Sequence, residues 1–453
     1  MKTIRGRFRA AVLMGAAASV LAFAAGAKAQ NQNSNGDSWL FGDPAPKDNP
    51  WPYATTGRSP VLAVVGDVAC QPDQDHVSGG GEAAHETCDT PKAPYTSTTS
   101  TPPGPPYSLY QSQEATANQI ETMKPDAVAL LGDLQYQVGQ YQDFEKSFDL
   151  TYGAFKFLHR PAPGNHEFYD EHSETGVAGY GYFSYYNGFQ LNADGTIPTT
   201  TISDPCPPAL AAACNYPGLT TAIAQPVPRP DGQAGHFELG VNAGLNGTGV
   251  GDGWYSYNLG AWHLISLNIE CSTQPGGCSD TGTWFAAELA WLKKDLEENH
   301  APCTLAYWHQ PSYSAADSLT PEGTTALAFW QLLYEYNTDL VLNGHDHLYA
   351  RYRPLDPSGN SDPKKGIREF IVGTGGETLD TVVASTTGDA GAQFNAANLE
   401  ASTGDYWGVM ALTLDPNGYK WDFESALELP GAPAGTYSDK GVGTCHGGPS
   451  WGR

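Results

Sequence analysis

Short, mostly apolar runs recur along the chain between residues 61 and 423, and turn-forming or polar residues separate them. Runs of this length predict buried strands, because a strand that is covered on both faces needs no polar alternation. The predicted strands are 61–65, 127–131, 157–161, 254–259, 262–268, 303–308, 339–342, 369–372, 408–414 and 419–423. Short turns, Gly260-Ala261 and Pro416-Asn417-Gly418, join two pairs of them and predict two hairpins.

Longer stretches between these strands predict helices at 108–123, 141–150, 283–298 and 324–336. The first helix runs into Lys124-Pro125, where the proline ends it. Strands that alternate with helices predict an α/β fold, whose functional site lies at the carboxyl edge of the sheet. The chain shows no internal repeat and no independent second domain.

Composition divides the chain into four parts. Residues 1–29 predict a signal peptide, 30–58 a flexible leader, 59–430 a catalytic domain and 431–453 a C-terminal tail. Within the catalytic domain, the segments at about 71–106 and 170–250 are rich in glycine, proline and small polar residues or tyrosine, which predicts two surface insertions. We expect insertions beside the site to shape substrate access.

The first 29 residues have the pattern of an export signal. Basic residues between Lys2 and Arg9 precede an apolar stretch at 10–27, and Ala27-Lys28-Ala29 offers small residues for cleavage. No later run approaches the roughly 20 apolar residues that a membrane span needs. We therefore expect an exported protein of the periplasm or the extracellular space.

The charge of the expected mature chain is strongly negative. Residues 1–29 contain five of the 23 basic residues and none of the 49 acidic ones, so that 18 basic residues remain against 49 acidic ones. Such a surface argues against nucleic acid or an anionic membrane as a partner. We expect a small-molecule substrate, and the sequence does not indicate an oligomeric state.

Eight cysteines in an exported chain without a Cys-x-x-Cys pair indicate disulfides rather than zinc ligands. Eight cysteines allow about 105 connectivities. Sequence proximity favours three of the bonds, and the last would tie the final core segment to the tail. The predicted pairs are Cys70 with Cys88, Cys206 with Cys214, Cys271 with Cys278, and Cys303 with Cys445.

Five motifs at the ends of predicted strands carry residues that can bind a metal or transfer a proton. They are Gly66-Asp67, Gly132-Asp133-Leu134-Gln135-Tyr136, Gly164-Asn165-His166-Glu167, Trp308-His309 and Gly344-His345-Asp346-His347. Two cations about 3.5–4 Å apart can clamp the attacking and leaving oxygens of a displacement at phosphorus. Such a pair needs a bridging carboxylate, and Asp133 is the best candidate.

Each motif also has an ordinary interpretation. A single Gly-Asp or Gly-Asn is typical of a turn, and two histidines in a loop can simply be solvated. Tyr136 could equally be an aromatic side chain packed below the site. Because all five motifs occur in order at strand ends, a two-metal site is the favoured interpretation.

These motifs resemble those of the calcineurin-like metallophosphoesterases, and Gly132-Asp133-Leu134-Gln135-Tyr136 narrows the resemblance toward purple acid phosphatases. The resemblance extends over residues 60–380. It implies a four-layered α/β/β/α sandwich with a dimetal centre at the strand ends. It assigns Asp67, Asp133, Tyr136 and His347 to the first metal, and Asp133, Asn165, His309 and His345 to the second.

The first motif departs from the family pattern. Most of the superfamily has Asp-x-His there, whereas this chain has Ala69 in the place of the histidine, and Tyr136 is the natural replacement ligand. A tyrosinate is a hard oxygen donor, so we expect Fe(III) beside a divalent Zn, Fe or Mn. Plant-type members place further histidines after the metal-binding histidine, but this chain has none at 310–317.

The resulting hypothesis is an exported phosphatase of phosphate monoesters, in which a metal-bound hydroxide attacks phosphorus and His166 protonates the leaving oxygen. A phosphodiesterase or nucleotidase on the same scaffold is one alternative. An exported binding protein without turnover is another.

Overall fold

Two β-sheets form the centre of the computed structural model. The structure describes residues 58–72, 88, 108–169, 179–188, 199–202, 223–226, 252–274, 277–281, 283–316, 323, 325–382, 396–428 and 435–447. The strands are β1 Val61–Val65, β2 Ala127–Leu131, β3 His159–Ala162, β4 Thr199–Ile202, β5 Ile223–Pro226, β6 Tyr255–Leu259, β7 Trp262–Ser266, β8 Cys303–Tyr307, β9 Leu340–Asn343, β10 Tyr349–Tyr352, β11 Arg368–Val372, β12 Leu399–Thr403, β13 Tyr406–Asp415, β14 Gly418–Glu428 and β15 Ser438–Thr444.

The first sheet has the order β15-β14-β13-β1-β2-β3, and the second has the order β12-β10-β11-β9-β8-β7-β6. The strands that precede the predicted motifs are parallel neighbours: β1 pairs with β2, β2 with β3, and β8 with β9. A separate two-stranded ribbon consists of β4 and β5. Parallel strands end at the same edge, so the motifs that follow them are brought together.

The inner faces of the two sheets share one apolar core. Leu62 and Leu131 of the first sheet pack in the same cluster as Leu264, Leu305 and Phe370 of the second. Their side chains are removed from water on folding, and each fully buried Leu or Phe contributes about 1.5–3 kcal/mol. This core fixes the position of the carboxyl edge of the first sheet relative to that of the second.

Helices cover the outer faces of both sheets. Five helices are labelled: α1 Leu109–Met123, α2 Asn165–Phe168, which is a single turn, α3 Tyr180–Asn187, α4 Trp284–Glu298 and α5 Leu327–Glu335. Short helical segments are Tyr141–Asp143, Phe144–Phe148, Asp149–Thr151, Tyr152–Leu158, Cys271–Thr273 and Ala396–Asn398. Helix α1 packs on β13 and β14, whereas α4 and α5 pack on the outer face of the second sheet. The predicted four-layered α/β/β/α sandwich is therefore confirmed.

Most predicted elements lie within a few residues of the observed ones. The predicted strand at 157–161 is shifted, because Tyr152–Leu158 forms helical turns and β3 begins at His159. The sequence did not predict the strands β4, β5, β10, β12 and β15. Among the described residues, no helix is long and apolar enough to cross a membrane.

The predicted insertions fall largely outside the described residues. Within the second one, however, helix α3 is buried and packs against the first sheet's aromatic core. The predicted tail also contributes β15, which pairs with β14 at the sheet edge. The signal peptide, the leader and most of both insertions lie outside the described residues.

Three of the four predicted disulfides are confirmed. They join Cys70 to Cys88, Cys271 to Cys278, and Cys303 to Cys445. The predicted pair Cys206–Cys214 lies outside the described residues. The bond to Cys445 ties the tail to the start of β8, as the sequence led us to expect.

Candidate metal centre

The predicted site residues follow the ends of strands in both sheets. Asp67 follows β1 and Asp133 follows β2 in the first sheet, whereas His309 follows β8 and His345 follows β9 in the second. The backbone N–H of His345 donates to the carboxylate of Asp67, with distances of 3.0 and 3.1 Å to its two oxygens. The two strand edges therefore meet directly.

Sharp backbone turns direct these side chains into one place. The φ angle is 60° at Asp67, 49° at Asp133 and 69° at His345, in the left-handed region that residues other than glycine rarely adopt. Such strained positions are concentrated at functional sites. At Gly132, where φ is 88°, an added Cβ would lie 2.6 Å from Nδ1 of His309. The glycine allows His309 to approach the end of β2.

The four side chains predicted for the first metal contact one another. The hydroxyl oxygen of Tyr136 lies 3.1 Å from Oδ1 of Asp67, 3.2 Å from Oδ2 of Asp133 and 2.9 Å from Nε2 of His347. Nε2 of His347 also lies 3.4 Å from Oδ1 of Asp67. Oxygen and nitrogen donors thus surround a single position.

Tyr136 lies beside the alanine that replaces the family's histidine. The backbone N–H of Tyr136 donates to the carbonyl of Ala69 at 2.8 Å, and Ala69 is fully buried. Its methyl group offers no ligand atom. The phenol of Tyr136 reaches the carboxylate of Asp67 instead, which supports the replacement inferred from the sequence.

Two of the side chains predicted for the second metal, those of His309 and His345, lie close to Asp133. Nε2 of His309 is 3.0 Å from Oδ2 of Asp133, and the rings of His309 and His345 are 5.1 Å apart. Ligand atoms of these three residues all lie within 4.8 Å of one another. Asn165 begins α2 directly after β3, and the N–H of the next residue, His166, donates to Oδ1 of Asp133 at 2.9 Å.

Backbone carbonyls fix the proton positions of three histidines. A carbonyl oxygen can only accept, so Nδ1 of each ring carries the hydrogen and Nε2 faces the cluster. The bonds run from His309 to Leu131 (2.8 Å), from His347 to Thr378 (2.7 Å) and from His166 to Gln137 (2.6 Å). Metal-binding histidines commonly have such an outer hydrogen bond.

The donor atoms of this cluster also have the chemistry of a metal site. Nε2 of His309 is buried, and the atom that it faces is a carboxylate oxygen of Asp133, 3.0 Å away. Imidazole and carboxylate groups that face one another in this way can share an ion. The surrounding donors are carboxylates, a phenol, an amide oxygen and imidazoles, a set that suits transition metals such as iron, zinc and manganese. The residues present therefore fit a metal centre.

The electrostatics are those of a buried cluster of opposite charges. Burial acts to raise the pKa of Asp133, but the charges of His309, His166 and His345 and the hydrogen bond from His309 together outweigh it, and the pKa is lowered. Burial acts to lower the pKa of His309 and His347, and the neighbouring carboxylates raise it to about 10 in both. For His345, burial and the charge of His309 lower the pKa to about 3. In His345, this shift favours the neutral imidazole that binds metals.

His166 lies at the open side of the cluster. Its Nε2 is 3.8 Å from Oδ2 of Asp133, and its side chain is 18% exposed. The ring lies between those of Tyr136 and Tyr169, with centroid distances of 4.2 and 4.9 Å. The ring is thus held in place with one nitrogen facing the site.

The sequence assigned no role to Glu167, which is fully buried next to the centre. Its carboxylate accepts hydrogen bonds from four backbone N–H groups at the ends of β2 and β3. The donors are Asp133 (2.9 Å), Leu134 (2.7 Å), Gln135 (3.2 Å) and Gly164 (2.7 Å). Glu167 thus holds the turn that presents Asp133.

The sequence also gave no role to Glu270, Gln310 and Tyr169. Gln310 donates through Nε2 to Glu270 at 2.6 Å and lies 3.3 Å from the amide of Asn165. Gln310 directly follows the predicted ligand His309, and this adjacency was the one feature of the sequence that could have pointed to it. No motif marks Glu270, which reaches the site because the loop after β7 passes beside β8.

A family model provides the first comparison with known proteins. Residues 234–349 match the model described as Calcineurin-like phosphoesterase. This segment contains His309, His345 and His347, whereas Asp67 and Asp133 precede it.

Curated relatives match over short segments. Purple acid phosphatase 15 of Arabidopsis thaliana is 34% identical over 115 residues, which cover 23% of this chain and 20% of the relative. An acid phosphatase of Aspergillus ficuum is 28% identical over 149 residues, which cover 25% of this chain and 24% of the relative. The matched segments thus span less than a third of these relatives.

Among solved structures, a purple acid phosphatase from seeds of yellow lupin (Lupinus luteus) aligns with a TM-score of 0.46. Its sequence identity is 15%, and the alignment covers 86% of this chain and 55% of the lupin chain.

Proposed function

We propose that this chain is a calcineurin-like metallophosphoesterase similar to purple acid phosphatases and that it hydrolyses phosphate monoesters at a centre of two metal ions. One observation carries the proposal: the side chains predicted from five separate motifs lie together at the ends of strands from two sheets. An arrangement drawn from positions 67 to 347 has no evident structural purpose other than binding.

Asp67, Asp133, Tyr136 and His347 would hold one ion, with Asp133 shared. The second ion would be held by Asp133 together with Asn165, His309 and His345. When bound, the two ions supply Lewis acidity that activates water and neutralises charge on the phosphoryl oxygens. The hydrogen bonds from Nδ1 of His309 and His347 to backbone carbonyls would hold both rings with Nε2 toward the ions.

Tyr136 is the basis for proposing iron. Burial and the charges of Asp133 and Asp67 raise the pKa of Tyr136 well above its ordinary value, so the phenol keeps its proton unless a strong cation displaces it. A trivalent ion provides that displacement better than a divalent one. We therefore propose Fe(III) at the Tyr136 side and divalent Zn, Fe or Mn beside it.

His166 is the proposed proton donor to the leaving oxygen. Its Nδ1–H is held by the carbonyl of Gln137, so Nε2 is the nitrogen available to a substrate. Its partial exposure supports this role, because a group that leaves phosphorus would face solvent. General acid catalysis of this type contributes about 10²–10⁴-fold.

Export to the periplasm or the extracellular space belongs to the same proposal. The signal pattern of residues 1–29 supports it, and so do the three disulfides, because disulfides persist in oxidising compartments. We propose a small phosphate ester as the substrate. The acidic surface would repel such an anion at long range, and the metal charge would attract it locally.

Metal analysis combined with a substrate panel tests the proposal. The purified protein should contain two metal ions, one of them iron, and show a tyrosinate-to-iron absorption band. It should hydrolyse p-nitrophenyl phosphate faster than the bis-ester or nucleotides. Faster turnover of the bis-ester or of nucleotides would favour the diesterase or nucleotidase alternative. A metal-loaded protein that is inert across the panel would favour the binding protein.

A further inference from the structure

We propose that Glu270, Gln310 and Tyr169 form a chain of hydrogen bonds that turns the amide oxygen of Asn165 toward the metal centre. These residues would be positioning residues, which act through Asn165 and not on the substrate. The proposal rests on the proposed function, because Asn165 is a predicted ligand of the second metal. It explains what the segment after His309 does in a chain that lacks the family's additional histidines there.

The chain of bonds begins at a carboxylate. Oε1 of Glu270 lies 2.6 Å from the side-chain amide of Gln310, and both side chains are 2% exposed. A carboxylate oxygen accepts hydrogen bonds, so the amide atom facing it must be the nitrogen Nε2. The opposite orientation would bury two acceptors against each other, which is costly in a water-free site. Glu270 therefore fixes the orientation of Gln310.

Gln310 then fixes Asn165. Nε2 of Gln310 has two hydrogens, and the second faces an atom of the Asn165 amide 3.3 Å away. Because Nε2 is a donor, that atom must be the oxygen Oδ1. The amide nitrogen of Asn165 consequently points the other way, where the hydroxyl oxygen of Tyr169 accepts its hydrogen bond at 3.0 Å.

The orientation matters because only one end of an asparagine amide binds a cation. If the amide were reversed, its NH₂ group would face the second metal in place of the oxygen. Holding both ends in the correct direction before the ion arrives reduces the cost of binding. The chain of bonds thus prepares Asn165 as a ligand.

The two ends of this chain of bonds differ in exposure. The Glu270–Gln310 bond is buried, whereas Tyr169 is 38% exposed, so water can replace its hydroxyl as an acceptor. Hydrogen bonds to a charged, buried group are also stronger than exposed ones. Gln310 should therefore have the larger effect on metal binding, and Tyr169 the smaller.

Glu270, the residue at which this chain of bonds begins, is itself held in place. The backbone N–H of Glu270 donates to Oδ1 of Asn268 at 3.1 Å, and the next residue, Cys271, forms a disulfide with Cys278. These two bonds restrain the backbone on both sides of Glu270.

Metal titration of full-length variants tests the proposal. Gln310→Met keeps the length of the side chain but removes the amide, and we expect it to weaken one of two metal sites by about 10- to 100-fold while the other is unchanged. Tyr169→Phe should weaken the same site by less. Gln331→Met is the matched control, because Gln331 donates to Glu335 at 2.8 Å on the exposed surface. It should change neither site.

A double-mutant cycle separates positioning from a general structural effect. If Gln310 acts through Asn165, Gln310→Met should have no further effect on metal affinity in an Asn165→Ala background. Equal losses with and without Asn165 would overturn the proposal. If Gln310→Met does not fold, the same cycle is measured with Tyr169→Phe, which lies at the exposed end of the chain of bonds. Equal losses of metal affinity with and without Asn165 would again overturn the proposal.

The outcomes also separate this inference from the proposed function. A wild-type protein that binds two ions tightly, with no coupling between these residues and Asn165, overturns the inference alone. A wild-type protein that binds no pair of ions overturns both. If Gln310→Met weakens metal binding in the wild-type background but has no further effect in the Asn165→Ala background, the result supports both this inference and the proposed function.

Discussion

Replacing Glu167 by glutamine should destabilise the fold although the two side chains have nearly the same shape. Oε1 of Glu167 accepts from the N–H groups of Leu134 and Gln135, and Oε2 accepts from those of Asp133 and Gly164. Glutamine has one acceptor oxygen and one NH₂ group. Whichever way the glutamine amide turns, its NH₂ group would face two buried backbone N–H groups, which would then have no acceptor.

The magnitude follows from the number of bonds lost. A buried donor left without a partner costs about 1–3 kcal/mol, so two cost about 2–6 kcal/mol. One effect opposes this cost: burial and the charge of Asp133 raise the pKa of Glu167, which shows that the carboxylate is not favourably placed as a charge. Glutamine has no charge, so the substitution removes the cost of burying one. We therefore expect a loss of about 2–4 kcal/mol in the free energy of unfolding.

Because the pKa of Glu167 is raised to about 8, guanidinium unfolding with the disulfides intact is measured at about pH 9, where the carboxyl group is ionised. Glu335→Gln is the control, because Glu335 accepts one hydrogen bond on the exposed surface, and it should shift stability by less than about 0.5 kcal/mol. A Glu167→Gln variant that is within about 1 kcal/mol of wild type would refute the idea that four backbone bonds hold this turn.

Three further outcomes follow from the site and the core. Tyr136→Phe should fold but lose the tyrosinate-to-iron absorption band and its iron, as metal analysis would show. His166→Ala should keep both metals while turnover falls by about 10²–10⁴-fold, and normal turnover would place the acid elsewhere. Burial raises the pKa of Asp252, 4% exposed, to about 7, so its contribution to stability is present below about pH 4 and lost as pH rises through 7. Asp252→Asn should remove that loss, at most about 3 kcal/mol between pH 5 and pH 9, in paired unfolding curves.

Continuous apolar runs predicted the strands that matter for the site. The runs before Asp67, Asp133, His309 and His345 became β1, β2, β8 and β9 because their residues are buried on both faces. The same signal fails for edge strands. The strand Ser438–Thr444 alternates exposed and intermediate residues and contains two glycines, and only its pairing with Gly418–Glu428 makes it a strand.

The motifs predicted which side chains meet, but not what holds them. Glu167 and Glu270 act on backbone groups and amides that are distant in sequence, and their partners become visible only when the sheets are docked. No spacing rule connects position 270 to position 310. The tautomers of His309 and His347 likewise depend on carbonyls of Leu131 and Thr378, which the fold supplies.

Each proposed metal would take ligands from both sheets. Asp67, Asp133 and Tyr136 come from the first sheet, and His347, which contacts two of them, comes from the second. On the other side, His309 of the second sheet faces Asp133 of the first. Carboxylates are thus supplied by one sheet and imidazoles by the other. Neither half alone offers a complete site, so the centre can form only after the shared apolar core has docked the sheets. The proposed ligands therefore come from positions as far apart as 67 and 347, and only the docked fold brings them together.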